Sequence, residues 1–137
     1  SDLYLPEGMQ IPIWASASGK LLLAQLPPEQ YTRVVDKLSI YALTTNTQTD
    51  RQQLLATIAR AKSEQLSVDN EEFIPGMVAF AVPIPNGDGA PFATLFTHGP
   101  TVRKSLDELL TYAPAMRRAA DELALVFQKQ GAEACSD

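Results

Sequence analysis

Apolar residues recur at helical spacing through the first half of this chain and at strand spacing after it. Met9 to Trp14 (MQIPIW) is a short apolar run that reads as a strand. Pro12 confines it to a sheet edge or a strand end, because proline has no amide hydrogen to give a ladder. A run of small residues follows, in which Ser16 or Ser18 can cap a helix through Lys20, Leu21, Leu22, Leu23 and Ala24 to Leu26. Serine suits that place because its hydroxyl accepts a bond from an orphan first-turn amide. Pro27-Pro28 ends this helix and opens another, with Glu29 placed against the positive end of its dipole. Tyr31, Val34, Val35 and Leu38 then follow at helical spacing. Thr44 to Thr49 is a polar connection, and Asp50 with Gln53 makes a capping-box pattern. The helix after it gathers Leu54, Leu55, Ile58, Ala59, Ala61 and Leu66 on one broad face. Arg51, Arg60, Lys62 and Glu64 are left for a solvated face.

The period changes at Ser67. Ser67 to Phe73 reads as a strand and Pro75-Gly76 as a turn. Met77 to Pro85 (MVAFAVPIP) is apolar at odd and even positions alike, which predicts a strand covered on both faces. Asn86-Gly87-Asp88-Gly89 is a hairpin signal, and Pro91 to Thr97 returns as the partner strand, ended by Gly99-Pro100. A helical pattern resumes at Leu106, with a break near Pro114. The last helix carries Met116, Ala119, Ala120, Leu123, Ala124, Val126 and Phe127 and is expected to stop at Gly131. A hairpin among the strands, with helices before and after, predicts an α+β architecture: an antiparallel sheet flanked by helices. One domain is expected over residues 1–131, followed by a disordered tail at 132–137. There is no internal repeat and no low-complexity stretch.

Composition narrows the class. A chain of 137 residues, 45% hydrophobic and 20% charged, is an ordinary globular domain able to bury a core. No apolar run approaches the ~18 residues of a membrane span, so no membrane partner is expected. Ser1 to Gln10 has no secretory pattern, and the one cysteine, Cys135, leaves no disulfide framework; both fit a cytoplasmic location. Nothing near Cys135 would lower its pKa and make it a nucleophile. The net charge is −5, and only Arg103-Lys104 and Arg117-Arg118 are adjacent basic pairs. A nucleic-acid surface needs a clustered positive field, so this segment is not expected to touch DNA itself. The opening on Ser1 rather than Met reads as a piece of a longer protein.

Candidate chemistry is sparse. Ser18-Gly19-Lys20 looks like the end of a P-loop, but Trp14 stands at the upstream glycine position and Leu21 replaces the magnesium-binding Ser/Thr. Ser16, Asp69 and His98 include the residue types of a hydrolytic triad. Neither Ser16 nor Ser18 has the flanking glycines of a nucleophile elbow, and Ala17 stands where a Ser-x-x-Lys motif needs its serine. No enzyme is expected. The helix start at Ala15 to Gly19 offers amides and a positive dipole end to a carboxylate. The same small residues would equally allow close helix–sheet packing. Asp69-Asn70-Glu71-Glu72 is either a solvated loop or a place where Asp69 accepts a bond from a ligand hydroxyl or from amides near the first helix. His98 follows Phe96 by two, so both face one side of a strand. A zinc site needs several ligands, and the only cysteine is far away, so no metal and no cofactor are expected.

The stretch Pro12-Ile13-Trp14-Ala15-Ser16-Ala17-Ser18-Gly19-Lys20, the Leu-rich LLLAQLPPEQ after it, and Asp69, Glu72, Gly76, Gly99-Pro100 and Arg103 form an ordered set. From about Gly8 to Phe127 the chain resembles the effector-binding domain of IclR-type transcriptional regulators. The resemblance implies a GAF-like (profilin-like) α+β domain that senses a small organic or aromatic acid and associates as a homodimer or homotetramer. It implies DNA binding only through a separate N-terminal helix-turn-helix domain outside this chain, and further sensor strands ahead of the matching segment. Carried over position by position, the pocket is Ile11, Ala17, Ser18, Asp69, Met77, Ala79, Phe96 and His98. The chain departs from the family pattern at Trp14 (usually His), Gln65 (usually Gly), Phe80, Pro85 and Ala79 (often Cys or Ser). Phe96 and His98 stand where small hydroxyl residues bind a carboxylate. With Trp14, they point away from the smallest keto acids towards an aromatic or larger acid that stacks on Phe96 and bonds His98. The rival implication is a ligand-free oligomerisation domain with Phe96 filling its own pocket; a small hydrolase is the remaining alternative.

Overall fold

Ser16 starts the first helix. In the computed structural model, which describes residues 11–86 and 93–135, α1 spans Ala17–Ala24, and the Ser16 hydroxyl accepts the Gly19 amide at 2.9 Å. Proline opens α2 (Pro28–Lys37). Asp50 caps α3 (Arg51–Glu64) by accepting the amides of Gln52 and Gln53 at 2.8 and 3.1 Å. Gln65 ends it at φ 52°, a left-handed conformation that glycine adopts without strain. The strands β1 (Ser67–Asn70), β2 (Met77–Ile84) and β3 (Ala93–Pro100) then pair antiparallel in that order. Ser105 and Glu108 form a capping box on α4 (Leu106–Leu110), and α5 (Ala113–Cys135) follows.

The strand β2 is covered on both faces. Val78, Phe80, Val82 and Ile84 pack on Leu109 of α4 and on Ala120 and Ala124 of α5. Ala79 and Ala81 face the other way, against Ala17 and Leu21 of α1. A second apolar cluster, from Trp14 and Leu23 through Tyr31 and Val35 to Leu54 and Ile58, joins α1, α2 and α3. The molecule is therefore α+β, with one helical layer on each face of the sheet.

Four expectations change. Ile11 to Trp14 is no strand: the Ala15 and Ser16 amides both donate to the Pro12 carbonyl, and the segment turns into α1. Its path runs so close to α1 that a Cβ on Gly19 would lie 2.6 Å from the Ile13 Cα. β1 stops at Asn70 rather than Phe73, because the Asp69 carboxylate takes the amides of Glu72 and Phe73 and bends the chain out of the ladder. α5 runs through Gly131 to Cys135, so the expected helix stop at Gly131 is not found. Arg51 and Lys62 are not idle surface charges: Lys62 donates to the carbonyls of Ala24 and Leu26, and Arg51 to those of Val35 and Leu38. The expected turn at Gly87 to Gly89 and the start of the MQIPIW run lie outside the described residues.

Candidate functional site: a cleft between the first helix and the sheet

Strand register decides which side chains meet. Asp69 pairs with Ala79, Ala79 with His98, Ala81 with Phe96 and Pro83 with Thr94. Opposed residues share a face, so Asp69, Met77, Ala79, Thr94, Phe96 and His98 all face the side that carries α1. The alanines beneath α1 leave space there. A cleft of about 350 Å³ opens between the start of α1 and this face, lined by Ile11, Ser16, Ala17, Ser18, Asp69, Phe73, Ile74, Met77, Val78, Ala79, Thr94, Phe96 and His98.

All eight residues carried over from the family pattern stand on this one wall. Ser16, named in the sequence as part of the helix start, joins them, and Phe73, Ile74, Val78 and Thr94 join unannounced. Thr94 was readable from strand alternation, two before Phe96; Phe73 and Ile74 lie in an irregular turn that no periodicity marks. Phe96 is 53% exposed and stacks on His98, ring centroids 6.0 Å apart. Its ring is a wall of the cleft and leaves the space open, against the self-filled alternative. Trp14 is not on the wall at all. It is buried among α1–α3, donates from Nε1 to the Tyr41 carbonyl at 3.0 Å and packs on the Tyr41 ring. Its departure from the family pattern therefore anchors the α2–α3 connection and says nothing about ligand size.

The acidic turn is built, not solvated. Asp69 and Glu72 are 5% and 7% exposed. Asp69 Oδ1 accepts the amides of Glu72 and Phe73 at 2.7 and 3.3 Å, so its bonds go to its own turn rather than to the first helix. Lys20 of α1, 1% exposed, donates to Glu72 Oε1 at 2.7 Å, while Glu72 Oε2 accepts the Asn70 amide at 2.9 Å. The Gly-Lys and Asp-x-x-Glu motifs are thus the two ends of one buried ion pair, a partnership that spacing in the sequence does not show. The polar α2–α3 connection straps the turn from outside. Thr44 donates to the Glu71 carbonyl, Thr47 to that of Glu72, and Asn46 to that of Asn70.

Burial pushes the Asp69 carboxyl up to about 6; the neighbouring Glu72 charge also raises it, while the turn amides and Lys20 pull it down. Across the cleft, the Gly19 amide is taken by the Ser16 hydroxyl and the Lys20 amide by the Ser16 carbonyl. Ala17 and Ser18 precede them in the first turn, where a helix offers no internal acceptor. Ser18 Oγ is buried without a hydrogen bond among the described residues. The cleft therefore presents amide and hydroxyl donors from α1, a buried carboxyl from β1, and apolar walls. Among the described residues, no group of three or more His, Cys, Asp or Glu side chains gathers to hold a metal ion.

An antiparallel sheet between helical layers, with a small cleft at a helix start, is the GAF-like class of sensor-type folds. A family model described as the C-terminal domain of bacterial IclR transcriptional regulators matches residues 1–125, and the chain belongs to that family. The "Probable transcriptional regulator SauR" of Cupriavidus necator is 36% identical over 108 residues, covering 79% of this chain and 43% of that protein. A regulator structure from Rhodococcus sp. RHA1 superposes with a TM-score of 0.86 at 28% identity, covering 93% of this chain and 52% of that one. The inducer-binding domain of Acinetobacter PobR, a double mutant in complex with 3-hydroxybenzoic acid, superposes at 0.80 with 29% identity over 90% of this chain and 74% of that one. The chain spans less than half the length of SauR and about half that of the Rhodococcus regulator.

Proposed function

We propose that this chain is the effector-binding and oligomerisation domain of an IclR-type transcriptional regulator, and that it senses an organic acid with an aromatic or similarly sized body. One observation carries the reading: a single open cleft joins the α1 first turn to Asp69, and its walls hold every position that the family pattern marks for ligand. A carboxylate lies against the Ala17 and Ser18 amides and the Ser18 hydroxyl, where the helix dipole favours negative charge. The body of the ligand stacks on Phe96, and His98 meets a polar substituent. Volume supports this class: 350 Å³ sits at the small end of ligand pockets yet leaves most of its space empty around a three-carbon keto acid. The 3-hydroxybenzoic acid complex of PobR, on the same fold, supports it independently.

The domain works in the cytoplasm as a dimer or tetramer, without enzymatic turnover, and reaches DNA only through a separate domain. The effector acts by population shift: it favours one arrangement of subunits by its differential affinity for the cleft in that arrangement. A thermal-shift screen of keto acids and benzoates tests the reading, because a ligand that prefers the native state raises its stability. A benzoate that raises the midpoint in the parent chain but not in Ser18→Trp is the expected result. Stabilisation by none of the acids overturns it.

A further inference from the structure

The cleft proposed to take an acid effector already holds a carboxyl group, that of Asp69. Among the described residues, Asp69 and His98 are the only titratable ones on its wall, and no lysine or arginine lines it. Lys20 on α1, a cation whose charge acts on Asp69, is committed to Glu72 at 2.7 Å. Glu72 is balanced by that bond and by the Asn70 amide, and Glu71 of the same turn bonds the Gly76 amide at 2.9 Å. The Lys20–Glu72 pair adds no net charge beside Asp69. From β3 the facing group is His98, which pairs in register with Ala79 next to Asp69. An effector carboxylate would therefore share one 350 Å³ space with a second carboxylate and with no fixed cation to separate them. A second carboxylate in the same cleft disfavours the ionisation of the first.

We propose that this cleft takes up its acid effector together with one proton, so that an effector carboxylate at the α1 first turn faces a neutral Asp69. The proposal rests on the acid-sensing reading above. The proton comes from solvent, and no bond in the ligand is made or broken. Asp69 yields rather than the effector. Its carboxyl is buried and already raised to about 6, whereas the effector carboxylate has helix amides to hold its charge. The neutral carboxyl keeps Oδ1 as acceptor for the Glu72 and Phe73 amides and turns Oδ2 into a donor. The sensor then reads the acid and the proton jointly, and a neutral ligand of the same shape escapes that coupling.

Calorimetry of the 137-residue chain with benzoate, 3-hydroxybenzoate and pyruvate, and with benzamide as the neutral control, tests this between about pH 6 and 8. The expected result is a roughly tenfold loss of acid affinity per pH unit above about 6, with uptake of about one proton seen in buffers of unlike ionisation heat, and no slope for benzamide. Asp69→Asn removes the slope whatever its absolute affinity. A flat acid profile in the parent chain overturns the coupling and leaves acid sensing standing. A slope that persists in Asp69→Asn and disappears in His98→Gln also overturns it, because the proton then sits on His98. Failure of every acid to bind across this range overturns the sensing reading, and the coupling with it.

Discussion

Four residues, Gly19 and Lys20 of α1 and Asp69 and Glu72 of the acidic turn, decide how the cleft is held. Lys20 and Glu72 are both buried and bonded to each other, so removing one leaves the other charged and unpaired. Glu72→Gln is predicted to cost about 3–5 kcal/mol in urea unfolding, and Lys20→Met combined with Glu72→Leu to cost less than that single change. A double variant worse than the single would refute the account of the pair. Gly19 is needed because a Cβ there would meet the Ile13 backbone at 2.6 Å. Gly19→Ala is predicted to destabilise by about 1–3 kcal/mol, as overpacking does, read from the same unfolding curves. Asp69 acts through pH. Its folded pKa, about 6, lies above the ordinary 3.8, so between those values the folded state binds more protons than the unfolded one. Stability therefore falls as pH rises through that window and stays lowered above it. Asp69→Asn is predicted to be roughly 2–3 kcal/mol more stable than the parent chain at pH 8, with the gap closing towards pH 4. A gap that widens on acidification would contradict the shift. Of these features, the Gly-Lys and Asp-x-x-Glu motifs are visible in the sequence. Their meeting is not, because 52 residues separate Lys20 from Glu72 and only the fold closes that distance.

Cations hold the helices to one another. Lys62 of α3 bonds the carbonyl of Ala24, the last residue of α1, and that of Leu26 just beyond it, Arg51 of α3 those of Val35 and Leu38 at the end of α2, and Arg117 of α5 those of Gln65 and Glu64 at the end of α3. Each puts positive charge where a helix has free carbonyls and the negative end of its dipole. Arg117→Ala is predicted to cost about 1–2 kcal/mol and to raise amide exchange in the last turn of α3. Unchanged exchange there would show that Arg117 is merely adjacent. Helices and the buried strand β2 were legible because their periods are strong and their caps are local: Ser16, Asp50 and Pro28 all stand where the pattern puts them. The short apolar run at Ile11 to Trp14 was not, since a run that short fits a turn as well as a strand. The early end of β1 was also hidden, because one side chain, Asp69, competes with the ladder.

At the scale of the whole molecule, the cleft exists because two layers that each make sense alone fail to close over one another. Alanines at 17, 79 and 81 bring α1 close to the sheet, yet they leave the volume beside Ser18 and Asp69 unfilled. Family resemblance found eight wall positions in the sequence; no rule of composition or spacing would have gathered Ile11, Asp69 and His98 into one place. The wall also sets selectivity. Phe96→Ala is predicted to weaken an aromatic acid by about tenfold, the worth of one lost ring–ring contact, while leaving a keto acid within about twofold. Equal losses for both would mean that Phe96 does not touch the ligand. Calorimetry of the parent chain with 3-hydroxybenzoate against pyruvate is the most direct test of the central claim. The account predicts that the aromatic acid binds at least about tenfold tighter, a difference of about 1.4 kcal/mol. Tighter binding of pyruvate would contradict it.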